Sequence, residues 1–435
     1  MNHAERLDRL PFTPLHMKLL VGSGLGWALD AMDVGLISFI IVQLRHLWGI
    51  EASTAGWIAS AGFVGMTVGA SLGGLLADRI GRRQVFALTL LIYGLATGAS
   101  ALATGVGLLI ALRVVVGLGL GAELPVASTL VSEFAPARIR GRVIVVLEAF
   151  WALGWTLAAL IGYFVVPHGN NGWRWALALG AIPAVYAVVI RRGLPESVRF
   201  LDRTGRSAQA EQIVTQFEAS AGVASPELGV TQADVSAEPP ARISALWAPG
   251  LRSRSALIAL VWFCVNFSYY GAFTWLPSLL VLDGISVTTS LKYTLFITLA
   301  QLPGYACAAL TIEKWGRRPT LGVFLAGSAL AAGLFSQAHV PWAIIAAGMA
   351  LSFFNLGAWG ALYATTPELF PTRLRGAGAG WAAGFGRIAS IIAPLVVPAL
   401  IGYGTTTVFI LFGASFLVAC VLSLCLPELR GTSLD

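Results

Sequence analysis

Charge is what this chain has least of. Asp, Glu, Lys and Arg make up 11% of its 435 residues, against about 25% in soluble domains. So few charges cannot cover the two or three soluble domains that the length alone suggests. Cysteine is scarce as well. Cys264, Cys307, Cys420 and Cys425 all lie in apolar stretches without metal-ligand spacing, and they read as small buried thiols. The histidines (His3, His16, His46, His168 and His339) fall in the amino-terminal stretch, at helix ends or in loops, with no pairing pattern. The sequence holds no Ser-His-Asp set, metal cluster or phosphate loop, so neither enzymatic chemistry nor a cofactor or metal is expected.

Apolar surface is what the chain has in excess. Hydrophobic residues reach 57% and glycine occupies 49 positions, with a mean hydropathy of +0.78. A helix needs roughly 20 apolar residues to cross a hydrocarbon core about 30 Å thick. Twelve such runs occur, at 19–44, 54–77, 84–104, 107–131, 142–166 and 174–191, then at 255–282, 288–312, 319–337, 341–366, 376–401 and 405–426. The expected fold class is an all-α membrane protein with twelve transmembrane helices. The polar opening stretch MNHAERLDRLPFTPLHMK is followed by no small-residue cleavage site, so a removed signal peptide is not expected.

Basic residues orient the bundle. With the amino terminus placed in the cytoplasm, 23 of the 28 Lys and Arg fall inside. Arg45, Arg174 and Lys292 fall outside, and Arg113 and Arg387 fall within helices. This is the positive-inside pattern, and an even number of spans puts both termini in the cytoplasm. The net charge of +7 is therefore a topology signal. The lipid bilayer is the expected partner, and nucleic acid is not.

The chain repeats itself. Asp78-Arg-Ile-Gly81-Arg82-Arg83 recurs as Glu313-Lys-Trp-Gly316-Arg317-Arg318, an offset of 235. Glu133-Phe-Ala-Pro136-Ala-Arg138 recurs as Glu368-Leu-Phe-Pro371-Thr-Arg373 at the same offset. Duplication of a six-helix unit explains both. The domains expected are residues 1–192, a polar cytoplasmic linker at 193–250 with short surface helices around 205–222, and residues 251–435.

Ionisable groups inside a bilayer are costly and mark function by default. Arg387 lies twelve residues past Arg375, roughly 18 Å along a helix, which puts it near the midplane where carriers bind substrate. Its repeat counterpart is Ala152, so the charge is no inherited scaffold feature. A guanidinium matches a carboxylate bidentately, although an ion pair with a helix carboxylate would also account for it. Tyr269, Tyr270, Phe273 and Gln301 lie at the same depth, and Asn355 and Trp359 share one helix face at i,i+4. Such a set offers ring faces and hydrogen bonds to a flat heteroaromatic acid, while an aromatic taken singly is more often packing than a ligand contact. Asp30, Asp33, Glu123 and Glu148 gather in the first half and are candidates for proton coupling, with Arg113 available to neutralise one of them. Gly117, Gly119 and Gly121 suit close helix packing. No strand precedes them, so they are not a dinucleotide loop.

Across its whole length the chain resembles the major facilitator superfamily. Gly74-Leu-Leu-Ala-Asp78-Arg-Ile-Gly81-Arg82-Arg83 and Arg113-xxx-Gly117-x-Gly119-x-Gly121-xxx-Pro125 are similar to two of its signatures. Pro195-Glu196-Ser197, echoed by Pro427-Glu428, is similar to the sugar-porter and organic-ion branch. Asp30-Ala-Met-Asp33-Val-Gly, Glu123-Leu-Pro125, Ser268-Tyr269-Tyr270-Gly271 and Phe353-Phe354-Asn355-Leu-Gly-Ala-Trp359 resemble the bacterial niacin (nicotinate) permeases, relatives of the organic anion and cation transporters and of synaptic vesicle glycoprotein 2. The resemblance implies a monomeric inner-membrane carrier that imports nicotinate or a similar small aromatic monocarboxylate by alternating access, with a proton. In its organic-ion branch, the position of Arg387 is Arg in anion carriers and Asp in cation carriers. It further implies that Asp78, Arg82, Glu133, Arg138, Glu313, Arg317, Glu368 and Arg373, with Arg113 grouped among them, gate the cytoplasmic end by pairing across the halves in the outward-open state. An organic-cation or drug exporter, and a non-transporting binding protein on a carrier fold, are the competing readings. Arg387 speaks against the first of these, and the complete loop motifs against the second.

Overall fold

The structure, a computed structural model, describes residues 2–223, 243–371 and 374–428, with the backbone alone at Leu124 and Ile243. These residues are helical and contain no strand. In chain order the helices are α1 (His3–Asp8), α2 (Pro14–Trp48), α3 (Ala52–Ile80), α4 (Arg82–Ser100), α5 (Val106–Phe134), α6 (Arg140–Phe164), α7 (Gly172–Leu179), α8 (Ile182–Gly193), α9 (Val198–Arg203) and α10 (Ser207–Ser220). They continue with α11 (Arg252–Leu282), α12 (Val287–Leu299), α13 (Gln301–Trp315), α14 (Arg317–Ser336), α15 (Pro341–Glu368), α16 (Arg375–Ile401) and α17 (Thr405–Leu424). Among the described residues, eleven segments are long and apolar enough to cross a membrane, α7 with α8 forming one and α12 with α13 another. At the third expected span, α4 falls short because Arg82, Arg83 and Gln84 occupy its first turn. It nonetheless packs against α5 and α8 within the bundle. Leu75, Val185, Leu310, Leu330 and Trp342 point outward, the surface that lipid would cover.

Two expected spans are divided, each for a local reason. The sixth breaks between α7 and α8. Pro183 follows in the first turn of α8, where its missing N–H leaves no bond unmade. The eighth breaks at Ala300 between α12 and α13. Pro303 cannot donate to the Leu299 carbonyl, which removes one bond of the ladder at this point.

The sequence repeat is also a packing repeat. The contact of α2 with α6 recurs as α11 with α16, and α3 with α5 as α13 with α15. In the same way α4 against α5 recurs as α14 against α15, and α4 against α8 as α14 against α17. Between the two bundles, α2 meets α11, α3 meets α16 and α6 meets α12.

Glycine sets the distance between α3 and α5. A Cβ at Gly117 would lie 2.0 Å from the Gly62 carbonyl oxygen, and one at Gly121 2.0 Å from that of Met66. From the other side, Cβ atoms at Gly65 and Gly69 would each lie 2.2 Å from a carbonyl of α5. The two backbones are in contact, as small residues permit in membranes. Gly81 and Gly316 are equivalent positions with φ of 103° and 99°, a region that favours glycine. Each turn is held by a carboxylate of the Pro-Glu motifs. Glu196 accepts from the Arg83 N–H at 3.0 Å, and Glu428 from those of Arg317 and Arg318 at 3.2 and 3.1 Å. An anion at a helix N-terminus satisfies orphan donors and meets the positive end of the dipole.

Outside the bundle, α1 is held by a capping box between Asn2 and Glu5 and docks on α9 and α10. Arg6 spans Glu211 (2.7 Å) and Glu218 (2.7 Å), and Glu218 also accepts from Arg9 at 3.0 Å. The Arg6 guanidinium holds the Glu211 carboxyl down to about 2. The surface helix expected at 205–222 is α10, and linker residues 224–242 lie outside the described residues.

Candidate functional site

A cavity of about 610 Å³ lies between the two bundles. It runs from the middle of the helices to the end that carries the loop motifs, where Ser71, Thr129, Ile144 and Pro367 line it. The opposite end is shut. Every residue of 31–44 on α2 and 265–280 on α11 is buried. Ser60 Oγ donates to the Ile391 carbonyl across the seam at 2.8 Å, and Arg45 lies over the Trp275 ring at 5.9 Å.

Arg387 enters the cavity from α16. Its Nη1 lies 3.5 Å from Met66 Sδ, and it forms no ion pair with any described residue. The alternative of a helix-carboxylate partner therefore does not hold here. A guanidinium left without a counter-ion beside apolar side chains is costly, and it is poised for an anionic ligand. Aromatic faces surround it. The Tyr270 and Trp359 rings stand 6.0 Å apart at 86°, Trp262 and Tyr363 4.9 Å apart, and Trp27 and Trp151 4.9 Å apart on the facing wall.

Of the seven residues expected around the substrate, Arg387, Tyr270 and Trp359 line the cavity. Tyr269, Phe273, Gln301 and Asn355 do not, and this corrects the expectation that all share one surface. Each lies further toward the closed end. Tyr269 accepts a hydrogen bond from Trp151 Nε1 at 3.1 Å across the two bundles, and Phe273 packs on Trp155 at 6.1 Å, so the two close the cavity floor. Gln301 and Asn355 are fully buried behind them; the Gln301 amide has only the Tyr269 hydroxyl beside it, and the Asn355 amide has no hydrogen-bond partner among the described residues.

The carboxylates separate into three environments. Asp33 is spent on structure: it accepts from Arg113 Nη1 at 2.9 Å and from Thr97 Oγ1 at 2.6 Å. Arg113 therefore sits in a buried pair within the bundle, not among latches at the helix ends, a second correction. Asp30 and Glu123 face each other and the Tyr93 hydroxyl, away from the cavity. All three are fully buried, and their polar atoms have no other partner among the described residues. Glu148 alone of the four lines the cavity, beside the Trp27 indole.

Trp27, Trp262, Asn266 and Tyr363 line the cavity without having been expected there. The signal was present in the spacing. Trp262, Asn266 and Tyr270 stand at i, i+4 and i+8 on α11, and Tyr363 continues the stripe of Asn355 and Trp359.

Comparison with known proteins identifies the family. A family model described as sugar (and other) transporter matches residues 30–435. The chain belongs to that family. The chain is 47% identical to the niacin transporter NiaP of Acinetobacter baylyi, over 100% of this chain and 99% of that protein. It is 44% identical to a Bacillus subtilis protein named as a candidate niacin/nicotinamide transporter NiaP, over 94% of this chain and 96% of that protein. A solved structure of the major facilitator superfamily proton:xylose symporter XylE from E. coli superposes with a TM-score of 0.72 at 19% identity, over 96% of this chain and 97% of that one. The fold is the major facilitator fold, and the chain is a multi-pass membrane transporter and not an enzyme.

In this sugar-transporter family member the loop motifs pair mostly within their own bundle. Arg82 Nη1 meets Glu133 at 3.1 Å, and the equivalent Arg317 meets Glu368 at 2.7 Å. Asp78 pairs with Arg203 of α9 at 3.2 Å, and its equivalent Glu313 reaches across to Arg142 of α6 at 2.9 Å. Arg138 is exposed, and Arg373 lies outside the described residues. Cross-bundle pairing of these motifs is thus limited to Glu313 among the described residues, as expected where the cavity opens at this end.

Proposed function

We propose that this transporter imports nicotinate, or a closely similar small aromatic monocarboxylate, across a bacterial inner membrane by alternating access coupled to a proton. The observation that carries the reading is Arg387, a cation without a counter-ion inside an aromatic cavity near mid-membrane. Relatives named as niacin transporters at 47% and 44% identity support the same substrate. Alternating access is supported by a cavity that is open at one end and sealed at the other. With the termini in the cytoplasm, as the basic residues indicate, this is the inward-facing state. The domain boundaries at 1–192, 193–250 and 251–435, supported by the repeat in packing, and a monomeric carrier belong to the same proposal.

Proton coupling rests on Asp30 and Glu123. Two carboxyls buried face to face without a cation cannot both carry charge at tolerable cost, and a proton shared between them removes the conflict. Asp33, held by Arg113, is not free for that role in this state. Radiolabelled nicotinate uptake into cells lacking their own carrier tests the whole reading. Uptake should exceed that of empty-vector cells, rise as external pH falls and collapse with a protonophore. Absence of uptake from cells shown to hold the protein in the membrane would refute it.

A further inference from the structure

The cavity presents a cation and a carboxyl group that do not meet. Among the described residues, Glu148 and Arg387 are its only acidic or basic lining residues, one from each bundle, and they form no ion pair with each other. Tyr270 and Tyr363 lie within electrostatic reach of both, so the two groups share the same aromatic walls. Glu148 is 3% exposed, and its Oε2 has no hydrogen-bond partner among the described residues. Its neighbour Trp27 turns an indole N–H toward the carboxyl, Trp151 offers ring surface, and neither supplies a cation.

We infer that Arg387 and Glu148 form a two-ended clamp, in which Arg387 takes the carboxylate and Glu148 reads a basic ring nitrogen at the other end of the ligand. The substrate class is therefore narrower than aromatic acids: carboxylates on a nitrogen heterocycle. A carboxyl group and a pyridine-type nitrogen share one proton whichever of them holds it, so the bond forms as O–H···N or as O⁻···H–N⁺. A benzoate of the same size and charge offers a C–H edge instead and leaves Glu148 desolvated and unsatisfied. Sites built to hydrogen-bond a ligand group reject analogues lacking it more strongly than apolar pockets reject a change of shape.

The clamp rests on the nicotinate reading, and its test separates the two. Nicotinate and benzoate compete against radiolabelled nicotinate on the purified transporter, wild type and with Glu148→Leu and Glu148→Gln. Wild type should favour nicotinate over benzoate by at least about tenfold. Glu148→Leu should erase most of that preference by weakening nicotinate while benzoate keeps its affinity. Glu148→Gln should retain part of it, because the amide still donates to the ring nitrogen; a purely structural role for Glu148 predicts no such split. Equal affinities in the wild type, which needs no variant to fold, overturn the clamp and leave Arg387 as a simple anion site. An unchanged nicotinate-to-benzoate ratio in Glu148→Leu overturns it too. Failure of wild type to bind either acid overturns the nicotinate reading and the clamp with it.

Discussion

Removing the Arg387 guanidinium should cost substrate affinity and almost nothing else. In a complex, a carboxylate at this position would accept two parallel N–H bonds. Hydrogen bonds to charged groups contribute about 1.5–3 kcal/mol. Because Arg387 is half-buried and its cavity opens at one end, water competes, and about 2–3 kcal/mol is a fair total. At about 1.4 kcal/mol per decade, Arg387→Ala should weaken nicotinate roughly 30- to 150-fold. Arg387→Lys keeps the charge and loses the fork, so its loss should be nearer tenfold. Nicotinamide, which keeps the ring and lacks the charge, should bind wild type far more weakly than nicotinate, and the gap should close in Arg387→Ala. No ion pair is broken by the change, so the melting temperature should move by no more than about 2 °C. Equilibrium binding of labelled nicotinate to purified, monodisperse protein, with a thermal melt on each sample, measures all of this. Wild-type affinity in a well-folded Arg387→Ala protein would refute the reasoning, as would equal binding of nicotinate and nicotinamide by wild type.

Trp359→Ala and Tyr270→Ala should each weaken nicotinate by about 1–3 kcal/mol of lost ring contact, and Tyr270→Phe by less; unchanged affinity in both Ala variants on purified protein would remove these rings from the site. Asp30→Asn and Glu123→Gln should flatten the pH dependence of uptake and its sensitivity to a protonophore, and uptake that still rises as external pH falls would clear the pair of that role. Asp33→Ala leaves Arg113 buried without its counter-charge, which should cost about 3–5 kcal/mol and register as lost expression or a lowered melting temperature; Asp33→Ala combined with Arg113→Ala should recover part of that loss. Arg6→Ala should destabilise by about 2–3 kcal/mol, less than a fully broken buried pair because Arg9 still reaches Glu218. The Glu211 carboxyl is held down to about 2. The stabilisation by this pair is therefore complete above the ordinary glutamate value near 4.3 and fades as pH falls from there toward 2. Melts at pH 7 and pH 3 should show the wild-type advantage shrinking at the lower pH.

The spans were legible because lipid demands them: an apolar run of about twenty residues has few other uses. The breaks in α7–α8 and α12–α13 were not, although Pro183 and Pro303 mark them, because a proline ends one helix and merely kinks another depending on what repairs the freed carbonyl. At the site, Arg387 was legible as a cation near the midplane whose repeat counterpart, Ala152, is uncharged. Depth alone did not show which of the aromatics at that level reach the cavity. Tyr269 and Tyr270 are neighbours in sequence yet point to different places, one to the floor and one to the wall, since adjacent residues on a helix stand about 100° apart. The pairing of Arg113 with Asp33 was beyond reach as a choice, since Asp30, Asp33 and Glu123 all offered a partner and only packing selects one.

One pair of equivalent spans is not built with equal stiffness. α3 is one unbroken rod seated backbone to backbone on α5, and its counterpart is cut at Ala300 into α12 and α13. A helix with a missing bond yields there at low cost, whereas a rod wedged against its neighbour along its length has no place to flex. Bending of this span thus gathers at the elbow. Gln301 is the first residue beyond that elbow and stands beside the Tyr269 hydroxyl, so a small angular change there tilts the floor of the cavity while the α3–α5 wall keeps its shape.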